Sequence, residues 1–230
     1  MKWIVLLGVI ANLMGPSYSS DTTGEIGIYE SQLPNKLQQM SREERLADAV
    51  AYYTEQSFFK GAEKDLYQRA DRALKESWRE GSDPFEPADP LGYFPYADLY
   101  LLQLDTQRVW MEDLEADVGK GNGVYAETLK RWSEISNGVF TPTNIVEKWQ
   151  TDEGPVTVEF EWKGKRLTLT AEYYNDFFDL EILDQLNEII ESTGYQFAYL
   201  TIDQTAFVTC LTDEQRTQWE ADRGLSFFNE

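Results

Sequence analysis

Near Thr141 the hydrophobic pattern of this chain changes period, and that change constrains the fold more than any other feature. Before it, apolar residues recur at helical spacing. After it, Val156, Val158, Phe160 and Trp162 alternate with Thr157, Glu159 and Glu161. An alternation of period two is the pattern of a strand with one face buried, because successive side chains point to opposite faces. Lys163-Gly164 is a hairpin turn signal, and Leu167 and Leu169 continue a return strand. A helix is expected from about Leu180 to Thr193, with Leu183, Leu186 and Ile190 inward. A second hairpin follows from Tyr195 to Leu211, turning near Asp203-Gln204. Thr212 and Gln215 then form a capping box for a last helix ending at Gly224. The order is ββαββα, which a four-stranded, mostly antiparallel sheet with helices on one face satisfies.

Upstream, Ser41 with Glu44 three residues later is a capping box. Leu46, Ala49, Val50 and Tyr53 fall on one helical face. A second helix is expected from about Ala62 to Glu80, with Leu66, Ala70, Ala73, Leu74 and Trp78 on its apolar face. A third is expected from Tyr96 to Val118 and a fourth from Val124 to Asn137. The reading is therefore α+β: a helical region over 20–140 and an α+β region over 141–230, which a single continuous globule can also contain. The linker, Gly138 to Pro155, carries Phe140, Ile145 and Trp149 and is expected to pack on a neighbour.

Residues 1–19 read as a signal peptide. Lys2 precedes an apolar run from Trp3 to Met14, Gly15 and Pro16 break any helix, and Ser17 and Ser19 have small-x-small spacing. The run is shorter than the ~20 apolar residues a membrane span needs. The expected location is periplasmic or secreted, from a bacterial-type exporter, with no membrane span once the signal is removed.

The chemistry that is missing narrows function. The chain has no histidine, so Ser-His-Asp and Cys-His catalysis and histidine-bound zinc are excluded. Cys210 is the only cysteine, which rules out an intramolecular disulfide or a thiolate cage. No cofactor and no metal site are expected. A formal net charge of −21, from 41 acidic and 20 basic residues, repels phosphate backbones and argues against nucleic acid. The same charge attracts a basic protein. The Gly119-Lys120-Gly121-Asn122-Gly123 stretch lacks the closing Gly-Lys-Ser/Thr of a phosphate loop and reads as an interhelical turn.

Two stretches mix aromatic and acidic residues. In Ser82 to Pro95, the prolines Pro84, Pro87, Pro90 and Pro95 oppose regular structure. They would present Phe85, Tyr93 and Phe94 as anchors, with Asp83, Glu86 and Asp89 as a charged rim. These six are the expected partner-binding residues. In the second stretch, Tyr173 to Glu181, Asp179 is expected to N-cap the following helix while Phe177 and Phe178 enter the core. The leading expectation is an exported, acidic, non-enzymatic interaction protein that binds a protein partner, an immunity-type inhibitor being one form. The alternative is a carboxylate-dependent hydrolase or glycan-binding protein of the cell envelope. The first expectation is checked by N-terminal sequencing of exported material: the mature chain should begin at Ser20, and an intact Met1 there would count against export.

Overall fold

The computed structural model describes residues 34–61, 65–78, 96–202 and 204–228. The signal segment and all six expected partner-binding residues, Asp83, Phe85, Glu86, Asp89, Tyr93 and Phe94, lie outside them. The protein is α+β, with helices and two three-stranded antiparallel sheets. Two compact units divide the described chain: residues 34–104 with 219–226, and residues 105–218 with 227–228.

The first unit is helical. It comprises α1 (Asn35–Gln38), α2 (Arg42–Glu55), α3 (Leu66–Trp78), α4 (Tyr96–Leu102) and the last residues of α7 (Asp213–Arg223). The capping box opens α2 as expected: Glu44 N–H donates to Ser41 Oγ at 3.2 Å and Ser41 N–H to Glu44 Oε2 at 2.8 Å. Leu46, Ala49 and Tyr53 face the interior. Arg223, 1% exposed, donates from Nε and Nη2 to both oxygens of Asp98 at 2.5 and 2.9 Å and from Nη1 to Asp48 at 2.5 Å. Tyr53 adds its hydroxyl to Asp98 at 2.7 Å. Burial is the largest influence and opposes the charge on Arg223, but Asp98, Tyr53 and Asp48 together outweigh it and hold the guanidinium protonated. Burial and the Asp98 charge together push the Tyr53 hydroxyl well above its ordinary range.

The second unit holds β1 (Val109–Asp113), α5 (Val124–Ile135), β2 (Thr143–Trp149), β3 (Val156–Trp162), β4 (Lys165–Ala171), α6 (Ile182–Ile190), β5 (Tyr195–Ile202), β6 (Thr205–Thr212) and the start of α7. The hairpins form as the alternation requires. Val156, Val158, Phe160 and Trp162 are all buried, and Lys163 and Gly164 turn the chain with φ of 49° and 74°. Two consecutive positive φ values match the right-handed twist of the flanking strands.

The single four-stranded sheet is a correction. Each hairpin instead recruits a third strand from earlier in the chain, giving the orders β2-β3-β4 and β1-β6-β5. The two hairpins do not join because α6 takes the edges that would have met. Gln185 exchanges hydrogen bonds with the Thr170 backbone in β4 (2.9 and 2.7 Å). Asn187 does the same with the Phe197 backbone in β5 (2.7 and 3.1 Å). The helix expected from Tyr96 to Val118 also breaks, at Leu102. Asp105 accepts from the backbone of Gln107, Arg108 and Val109, an arrangement that competes with helix, and Val109–Asp113 then pairs with β6. The expected linker contains β2, paired with β3 across a bulge between Thr143 and Val146.

Glu159 ion-pairs with Lys148 and Arg166 on the neighbouring strands, whereas Glu161 is exposed. Replacing Phe160 with Asp should therefore abolish folding by burying an unpaired charge. Phe160→Ala should cost about 3–5 kcal/mol. Glu161→Lys should be near neutral, and Glu159→Lys should be measurably worse because it faces two cations. Urea unfolding of the four variants checks the register.

Candidate acidic cleft and aromatic turn

In the second unit a cleft of about 440 Å³ opens between β1 and α5. Period-two alternation places Trp110 and Glu112 on the same face of β1, and helical spacing places Val124, Glu127, Thr128 and Arg131 along one side of α5. Trp110, Phe178, Val124 and Ala116 form its apolar lining, and Glu112, Asp113, Glu115 and Glu127 supply four carboxylates against one guanidinium, Arg131. Arg131 is itself engaged, by Glu134 and by the Thr106 carbonyl at 3.2 Å, and Glu127 is ion-paired with Lys130, which leaves Glu112, Asp113 and Glu115 as the acidic side of the cleft. The cleft is thus net acidic.

Aromatic packing fixes the floor. Phe178 lies 4.5 Å from Tyr125, 5.8 Å from Trp132 and 6.2 Å from Trp110, centroid to centroid. Edge-to-face and tilted pairs at such separations each add about 0.5–1.5 kcal/mol beyond burial. Burial is also the largest influence on Glu112, raising its carboxyl above the ordinary range. Arg131 opposes that shift and Asp113 adds to it.

Beside the cleft, Tyr174 to Phe177 forms a turn closed by the Phe177 N–H to the Tyr174 carbonyl at 3.2 Å, with Asn175 at φ 55°. Asn tolerates that left-handed conformation better than most residues. The turn is tied to the strand end by Ala116 N–H to the Asp176 carbonyl (2.8 Å) and Phe178 N–H to the Leu114 carbonyl (2.7 Å). Phe178 is buried, as expected, but Phe177 is 37% exposed and Tyr174 50%. Two neighbouring aromatics therefore stand out on a hydrogen-bonded turn. The charge of Asp179, then desolvation, then the charges of Glu181 and Glu172, raise the Tyr174 hydroxyl, so this tip sits in a negative field. Asp179 does not cap α6. Its carboxylate accepts from Glu172 N–H (2.8 Å) and Glu181 N–H (3.0 Å), and the N-cap is Glu181. The 172–181 loop is pinned by Asp179, and the spacing misplaces the cap by two residues.

The glycine-rich stretch follows strand β1, correcting the helix expected before it. The N-terminus of α5 that it leads to is already occupied. Glu147 accepts from Ala126 N–H at 3.1 Å while its other oxygen accepts from Trp149 Nε1 at 2.7 Å. A protein carboxylate takes the place an anion would fill. Cys210 is buried, and desolvation pushes its thiol up to about 12, which disfavours the thiolate. Among the described residues no group of three or more His, Cys, Asp or Glu side chains is placed to hold a metal, and no helix is long and apolar enough to cross a membrane.

Of the two stretches that mix aromatic and acidic residues, only Tyr173 to Glu181 falls within the described residues. The cleft carboxylates Glu112, Asp113, Glu115 and Glu127 were not singled out by sequence, because the first three lie in a stretch read as helix and the last on the solvated side of α5. Comparison with known proteins returns no matching family model, no matching curated protein and no matching solved structure.

The raised Glu112 carboxyl has a stability consequence. A carboxyl that binds its proton more tightly folded than unfolded loses stability as pH rises through the interval between its unfolded and folded pKa. Glu112→Gln should therefore raise the melting temperature at pH 7. The gain should vanish below the ordinary carboxyl range, where Glu112 is protonated in both states. Calorimetry at pH 7 and pH 3.5 reads the difference.

Proposed function

We propose that this is an exported, acidic, non-enzymatic interaction protein that binds a basic protein partner through the cleft and the adjoining aromatic turn. An immunity-type inhibitor of a basic toxin is one form of it. The observation that carries the reading is the pairing of exposed Tyr174 and Phe177 on a hydrogen-bonded turn with a cleft lined on its strand side by Glu112, Asp113 and Glu115. Interfaces draw most of their affinity from a few aromatic anchors, while charges steer the encounter. Both are present within one unit, on backbone that loses little freedom when bound. A net charge of −21 favours a cationic partner over nucleic acid.

The second reading, a carboxylate-dependent hydrolase or glycan-binding protein of the envelope, draws on Glu112. A carboxyl raised by burial beside ionised neighbours is the pattern of a general acid. It accounts for the cleft but leaves the exposed aromatic turn without a role.

A fluorescent ten-residue peptide of alternating lysine and valine serves as a basic probe, read by anisotropy at low salt. Tyr174→Ala and Phe177→Ala should each weaken binding about tenfold, the 1–2 kcal/mol expected of an anchor. Glu112→Gln with Glu115→Gln should weaken it too, whereas the same charge change at exposed Glu153 and Glu161 should not. Equal losses from both carboxylate pairs would mean attraction to overall charge, and would overturn the assignment to this surface.

A further inference from the structure

We infer that the cleft seats an arginine side chain of the partner, its guanidinium held between the Glu112 carboxylate on β1 and the Thr128 hydroxyl on α5. This rests on the basic-partner reading and names the group that the cleft selects. Two polar side chains of the cleft stand without a partner. Thr128 is only 8% exposed and lines the cleft, yet its hydroxyl makes no hydrogen bond to any described residue. A helical threonine commonly returns its hydroxyl to the carbonyl one turn back, as Thr217 in α7 does to Asp213 at 2.9 Å. Thr128 does not. Its oxygen is not sealed in the core either, so it faces the space that the residue lines. Buried hydroxyls are ordinarily satisfied, and leaving one unmet is costly.

Glu112 is the second. It is half-buried, and no described donor reaches its carboxylate. Its acidic neighbours are accounted for: Asp113 accepts from Glu115 N–H at 2.9 Å, Glu127 pairs with Lys130, and Glu115 is exposed to water. Arg131, the cleft's own guanidinium, is turned to Glu134 and the Thr106 carbonyl. Burial raises the Glu112 carboxyl, as it must where a charge loses water and gains no donor. A ligand that answers both groups is a cation donating toward both walls. A guanidinium carries five N–H groups in a planar fork, enough for a carboxylate on one side and a hydroxyl on the other, and it sheds water more readily than a compact, strongly hydrated ammonium. Its methylene stem lies against Val124 and Ala116. Trp110 and Phe178 are themselves buried, so they form the floor and limit how deep the side chain goes.

The test compares the lysine–valine peptide with the same peptide carrying arginine at every lysine position, again by anisotropy. The arginine peptide should bind about tenfold more tightly. That advantage should disappear in Glu112→Gln and in Thr128→Val. The valine keeps the shape of Thr128 and removes only an unmet hydroxyl, so this variant should melt no lower than the unsubstituted chain. A marked fall in its melting temperature would mean that the hydroxyl already serves the fold, and would overturn the seat. An arginine advantage that survives both substitutions would place the preference elsewhere on the acidic surface and overturn it too. Equal affinity for the two peptides, still dependent on Glu112 and Glu115, would overturn the arginine seat while leaving the basic-partner reading standing. If neither peptide binds, that reading fails and this inference with it.

Discussion

The packing of Phe178 against Trp110, Tyr125 and Trp132 is the interaction on which the second unit's surface depends. One ring contacts β1 through Trp110 and α5 through the other two. Its own N–H is held by the Leu114 carbonyl, so the loop that carries it cannot slide along the strand end. Strand, helix and loop are brought to one point. The cleft is the space left above that point, and the exposed turn is the part of the loop left outside it. Burying Phe178 places Phe177 on the opposite side of an extended segment, in solvent. The exposed anchor follows from the buried one.

In the first unit the corresponding constraint is electrostatic. Arg223 is almost fully buried, and it is sustained there by the bidentate Asp98 pair, by Asp48 and by Tyr53, which shares Asp98. Removing one member of such a group costs about 3–5 kcal/mol because the remaining charge is stranded. Trp219, one turn earlier, is also buried and donates to Gln56 at 2.6 Å. Residues near the C-terminus are therefore integral to the helical unit formed by residues 34–104. A chain with twice as many acidic as basic residues commits this arginine to the interior, which is affordable only because two carboxylates meet it there.

The side-chain amides of α6 shape the molecule in a different way. Gln185 and Asn187 each satisfy a backbone donor and acceptor that would otherwise seek a strand. That stops both sheets at three strands, with one edge of each plugged by an amide.

The sequence by itself determined what depends on neighbours along the chain. The capping boxes at Ser41 and Thr212, the α5, α6 and α7 helices, the β3–β4 register and its Lys163-Gly164 turn all follow from local periodicity, side-chain capping and backbone φ. So do the excluded chemistries, since absent histidines and missing thiols need no fold to interpret. The tertiary structure decided what depends on partners far away in sequence. Val109–Asp113 becomes a strand only because β6, about a hundred residues later, supplies the ladder. Thr143–Trp149 hides its strand behind a bulge that breaks the alternation. The two hairpins stay apart because amides on an intervening helix reach their edges, which no hydrophobic pattern encodes. The cleft was illegible for the same reason: Glu112 and Glu127 are ordinary surface acids until β1 and α5 bring them to one groove, where lost water raises the first of them. Periodicity reports which face of an element is buried; only packing reports what lies across from it.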